Sequence, residues 1–88
     1  MSLTATTVTI GTTPTLIATG KVGASWLYIH APTGGNTIFV GPSNVTTATG
    51  LELPKGELHD FWLAETDALY GIVAALTQSL MTMQSGGR

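Results

Sequence analysis

Ala24-Ser25-Trp26-Leu27-Tyr28-Ile29-His30-Ala31 is the stretch that decides the fold. Trp26, Tyr28 and His30 alternate with Leu27, Ile29 and Ala31, and a strand turns successive side chains to opposite faces. Both faces are bulky. Such a strand is central in a two-layer packing or lies under an interface.

The neighbouring segments extend the pattern in both directions. Pro32-Thr33-Gly34-Gly35-Asn36 reads as a hairpin loop, with Thr37 to Gly41 returning as the partner strand through Ile38, Phe39 and Val40. Pro42-Ser43-Asn44 turns the chain, and Val45 to Gly50 is a Thr-rich connection. Leu51 to Leu53 is a short strand, and Pro54-Lys55-Gly56 is a turn with Pro at its first corner. Glu57 to Ala64 alternates again, with Leu58, Asp60 and Trp62 opposite His59, Phe61 and Leu63. Glu65-Thr66-Asp67 breaks it. Ala68 to Ala75 carries Tyr70, Ile72 and Ala74 on one face, and Thr77 to Gln84 sets Ser79, Met81 and Met83 opposite Leu80 and Thr82. Toward the N terminus, Gly20-Lys21-Val22-Gly23 is a turn and Thr15 to Thr19 a short strand on Leu16 and Ile17. Gly11-Thr12-Thr13-Pro14 is a break, and Thr4 to Ile10 alternates with Thr6, Val8 and Ile10 on one face.

Helix competes only over residues 68 to 84. There Gly71, β-branched Ile72 and Val73, and the Thr-rich end favour strand. Sixteen Thr and eleven Gly suit pleated surfaces and their turns. About eight short antiparallel strands at this spacing predict an all-β domain, a β-sandwich or small barrel, jelly-roll or Greek-key like. One domain spans residues 1–84, and 85–88 read as a flexible tail.

Composition narrows the functional classes. The 88 residues include no Cys, so no disulfide framework or thiolate metal site is available. Charged residues are 9% of the chain, against about 25% in an ordinary soluble domain. Three Lys and Arg cannot neutralise a run of phosphates or anchor a membrane surface, so no nucleic-acid or membrane partner is expected. No run approaches a membrane span, and Met1 to Thr6 lacks the basic and apolar regions of a signal peptide.

Size scaling predicts a folded surface of roughly 4,900 Å² and about 63% burial. Burial then contributes on the order of 125 kcal/mol, against on the order of 130 kcal/mol for ordering the chain. A chain so balanced, and so poor in the surface charge that keeps monomers soluble, is expected to finish its burial in an oligomer or larger assembly.

No residue set points to catalysis, so the chain reads as a non-enzyme without cofactors. His30 and His59 are 29 positions apart on separate strands, and each reads as a half-buried histidine rather than a ligand. Asp60, Glu65 and Asp67 lack calcium-loop spacing and read as a solvated turn. Ser25 and Ser43 sit in no nucleophile-elbow sequence, and no helix follows Gly34-Gly35 to make a phosphate loop.

Of Trp26, Tyr28, Phe39, Phe61, Trp62 and Tyr70, most are expected in the core, with one Trp left to anchor a subunit contact. A sugar- or peptide-binding groove is the competing use of these rings. Met81 and Met83 share a face that either fills the core or forms a soft contact surface. The candidate interface is therefore Trp26, Tyr28, His30, Trp62, Met81 and Met83.

Four stretches in order resemble a family of small bacteriophage virion proteins of the capsid decoration type. They are Val8-Thr9-Ile10-Gly11-Thr12-Thr13-Pro14-Thr15-Leu16, Ile38-Phe39-Val40-Gly41-Pro42-Ser43-Asn44-Val45-Thr46-Thr47, Gly50-Leu51-Glu52-Leu53-Pro54-Lys55-Gly56-Glu57 and Asp67-Ala68-Leu69-Tyr70-Gly71-Ile72-Val73-Ala74. The chain departs from the family at Gly41-Pro42, where a second glycine is common, and at Ala74-Ala75-Leu76, which lacks a Ser-Gly turn. The resemblance implies a β-sandwich, made in the host cytoplasm, that coats the outer capsid surface of the virion. Its partners would be the major capsid protein of the phage head and further copies of itself, with a trimer favoured. A tail or head–tail accessory role, such as tube decoration or a fibre component, is the alternative. The family supplies no catalytic residues to carry over.

Overall fold

A computed structural model of the chain describes residues 2–21, 25–53 and 55–86. The expected turn residues Val22 and Gly23, the strand start at Ala24, the corner at Pro54 and the end at Gly87 and Arg88 lie outside them. Eight strands form: β1 (Ser2–Ile10), β2 (Thr15–Thr19), β3 (Ser25–His30), β4 (Ile38–Gly41), β5 (Leu51–Leu53), β6 (Leu58–Leu63), β7 (Ala68–Ile72) and β8 (Gln78–Gly86). No helix occurs among the described residues, so residues 68 to 84 take the strand reading.

The strands make two antiparallel four-stranded sheets, in the orders β1-β8-β3-β6 and β2-β7-β4-β5. This is the double Greek-key arrangement of a jelly roll. All connections cross between the sheets except β4 to β5. The molecule measures 37 × 25 × 16 Å between Cα extremes, with 4945 Å² of accessible surface, close to the scaling for a compact chain of this length.

Strand parity builds the core. Val8 and Ile10 on β1, Leu27 and Ile29 on β3, Leu63 on β6 and Leu80 on β8 face Ile17, Ile38, Val40, Leu53, Leu69 and Val73 of the other sheet. Ile10, Leu27, Ile38 and Leu80 are completely excluded from solvent. One polar link crosses this interior. The Gln84 amide donates to the Thr19 carbonyl at 2.7 Å and to the Ser25 hydroxyl at 2.9 Å, tying β8 and β3 to the end of β2. A buried amide left without such partners would cost about 1–3 kcal/mol.

Three expectations are corrected. Pro32 to Asn36 is not a hairpin loop, because β3 pairs with β6 and β8 while β4 pairs with β5 and β7. Both strands carry apolar side chains on both faces, so each takes an inner position in its own sheet and the loop crosses the gap. The last expected strand of the tyrosine segment ends at Ile72, and Ala74 to Leu76 bend instead. The tail does not begin at Ser85, because Ser85 and Gly86 continue β8 and pair with β1 on one side and β3 on the other.

The connections cluster at two ends. At one, Val73 N–H donates to Gly11 O, Gly56 N–H to Ala31 O and Lys55 Nζ to Gly35 O. There Gly35 adopts φ 88°, and the next residue, Asn36, clamps the β7–β8 turn through Ala75 O and Thr77 O. Leu76 at the tip has φ 60°, a left-handed conformation that costs a leucine about 1–2 kcal/mol. At the other end Gly20 N–H donates to Asp67 O.

Candidate functional site

The residues of β1, β8, β3 and β6 that do not point into the core form one outer face. Registers align them in three rows across the sheet: Leu3, Ser85, Trp26 and Trp62; Ala5, Met83, Tyr28 and Asp60; Thr7, Met81, His30 and Leu58. All six candidate interface residues, Trp26, Tyr28, His30, Trp62, Met81 and Met83, therefore share this face. Among the described residues, seven of the ten exposed large apolar side chains stand on it: Leu3, Trp26, Tyr28, Leu58, Trp62, Met81 and Met83.

Each strand has its own reason to present this face. On β3 the inner Ser25, Leu27 and Ile29 are buried, so the alternating Trp26 and Tyr28 must stand outward. Leu80 and Gln84 fix β8 in the same way and turn out Met81 and Met83. Leu63 does so for β6, turning out Trp62 and Leu58. The two indoles are a cross-strand pair, edge to face with ring centres 5.1 Å apart and planes at 66°, a geometry worth about 0.5–1.5 kcal/mol. Next to them lies a shallow groove of about 660 Å³ whose lining includes Ala5, Tyr28, His30, Leu58, Met81 and Met83.

The face is almost free of charge. Among the described residues Asp60, on the edge strand β6, is its only carboxylate, and no Lys or Arg is on its rows. The surface offers apolar area, two aromatic rings in contact, and hydroxyls from Tyr28 and Thr7. It has the means to bury against another surface.

The expectation that most aromatics are core is overturned. Trp26, Tyr28 and Trp62 are exposed, and Phe39, Phe61 and Tyr70 are only partly buried. Aliphatic side chains fill the interior instead, since two sheets packed about 10 Å apart leave a thin core. Neither tryptophan is internal. Met81 and Met83 do not fill the core; both stand exposed on this face.

The remaining candidates separate. His30 and His59 point to opposite faces of adjacent strands. His59 Nε2 lies 3.9 Å from the exposed Glu57 carboxylate and has no hydrogen-bond partner among the described residues. Asp67 accepts from the Ala64 backbone N–H at 2.9 Å and closes the β6–β7 turn, whereas Asp60 stands on the outer face. Among the described residues no three His, Asp or Glu side chains gather. Ser25 is buried beneath Gln84, and Ser43 lies exposed in a turn.

Leu3, Ala5, Thr7, Leu58 and Asp60 belong to the face and were missed from sequence. Leu58 carried a usable signal, since it shares parity with Trp62 along one strand. Leu3 carried none, because only the pairing of the two terminal strands brings it beside Ser85. No family model, curated protein or solved structure matches the chain.

Proposed function

We propose that this chain is a non-enzymatic structural protein of a bacteriophage virion, a decoration or cement protein that binds the outside of the head shell as an oligomer. The observation that carries the reading of an assembling protein is the uncovered apolar face of the β1-β8-β3-β6 sheet. A free monomer rarely exposes so large a continuous patch. The four sequence stretches that resemble the decoration family add to it. The jelly roll itself is compatible, since it recurs in viral capsids and in lectins, but a fold does not select a function.

Mechanically, a pressurised shell fails at the seams between capsomers. A protein that binds only the assembled, expanded shell shifts the equilibrium toward that state by mass action. Contacts repeated over symmetric copies add by avidity, so no single strong site is needed. A trimer on local threefold positions, touching neighbouring copies of the major capsid protein, satisfies these requirements.

Copy number in purified particles of the phage that encodes the chain tests the reading. Hundreds of copies per particle support the shell, whereas a dozen or fewer move the protein to the tail or the head–tail junction. None at all refutes a virion role. A glycan array with several specific hits would redirect the aromatic face to sugar binding.

A further inference from the structure

We infer that the outer face of the β1-β8-β3-β6 sheet is the surface through which copies of this chain meet each other, rather than the surface that meets the shell. The inference rests on the assembly reading above and names the occupant of its exposed face.

Area is the first argument. The seven large apolar side chains on the face are on average half exposed. At about 200 Å² for a large side chain, they offer roughly 700 Å². A standard stable interface takes about 800 Å² from each partner. The patch also exceeds the roughly 300–600 Å² found as the largest on a typical monomer.

Charge is the second argument. A foreign partner is usually selected and steered by complementary charge, and this face carries none apart from Asp60 at its β6 edge. Homo-oligomer interfaces are the more apolar class, with aromatic and Met side chains in the middle and polar groups at the rim. Met83 and Tyr28 occupy the two inner strands here, with Asp60 and Thr7 on the edge strands beside the exposed Leu3, Leu58 and Trp62.

The chain reports on this contact without modification, because its only two tryptophans, Trp26 and Trp62, both stand on the face. Sedimentation and Trp emission are followed together from about 1 to 200 μM, a range that spans micromolar association. Association accompanied by a blue shift in emission is expected. Met83→Glu places a carboxylate mid-face and is expected to weaken association at least tenfold. Leu16→Glu, on the outside of the other sheet, is expected to leave it unchanged, with circular dichroism confirming that both variants are folded. Met81→Glu serves if Met83→Glu does not fold. A chain that stays monomeric, or associates with constant emission and equal affinity in the face variant, overturns the inference. Uptake by phage heads is scored separately. Self-association without uptake upholds this contact and refutes the virion reading. Uptake by a monomer, lost in Met83→Glu, refutes this contact and assigns the face to the shell.

Discussion

The outer faces of the two sheets are made from similar strands and end in different states. On the β2-β7-β4-β5 sheet the 42–50 connection packs against β4, with Gly50 beside Phe39 Cβ and Val45 beside Gly41 and Gly50. Val45 N–H donates to Pro42 O, and Thr49 and Gly50 N–H both donate to Thr46 O, so the segment is a compact hydrogen-bonded lid. Val45, within this segment, is only 2% exposed, and Ile72 on the same sheet 8%, although neither belongs to the central core. Phe39, which pairs with Ile72, is half-buried. The β1-β8-β3-β6 sheet has no such segment over it among the described residues, and its Trp, Tyr and Met side chains remain in solvent. That connection shields part of one outer face, where Leu16 still stands exposed, and the other face is left open. Burial that the chain does not supply for itself is left to a neighbour.

The largest break in this comparison comes from removing what both faces rest on. Leu27→Ala empties a fully buried site between the sheets and is expected to cost about 3–5 kcal/mol in chemical denaturation. Next is the lid. A Cβ at Gly50 would stand 2.7 Å from Phe39 Cβ, 2.8 Å from Val45 Cγ2 and 3.0 Å from Thr46 O. Gly50→Ala therefore forces the connection away from the sheet, and a loss of about 1–3 kcal/mol is expected. If the lid is what distinguishes the faces, this variant also gains binding of a hydrophobic dye; an unchanged signal would show the cover to be dispensable.

On the open face the same kinds of change should be mild. Trp62→Ala removes a side chain that is 54% exposed and its edge contact with Trp26, so about 1 kcal/mol is expected. A loss of about 3 kcal/mol or more, the cost of emptying a core site, would mean that the monomer depends on this face as heavily as on its interior. Smallest is Met83→Glu, at 43% exposure, with a monomer stability change within about 0.5 kcal/mol. Its effect belongs to assembly, and a large loss of monomer stability would contradict an open face.

Much of the candidate site was legible as parity and little of it as position. Within β3, alternation alone put Trp26, Tyr28 and His30 on one side, and within β8 it put Met81 and Met83 together. Which side faced the core was not decidable, because Leu27 and Ile29 on one side and Trp26 and Tyr28 on the other are both apolar. Hydrophobicity ranks the aromatics as core candidates, yet the interior took the aliphatics. His30 and His59 do not meet, because Ile29, not His30, is the register partner of His59, so the two rings diverge.

By itself the chain determined its strands, its turns and the two-sided partition of each strand, since period-two alternation and turn chemistry are local backbone properties. Pairing is not local. Pro32 to Asn36 carries the same turn residues whether it closes a hairpin or crosses to the opposite sheet, and only closure of two sheets around a shared core selects the crossing. That closure sets β8 between β1 and β3, and so gathers Leu3, Trp26, Trp62 and Met83 onto a single face. Tertiary packing alone made that face, while the long connection, residues 42–50, packs against Phe39 of the opposite sheet.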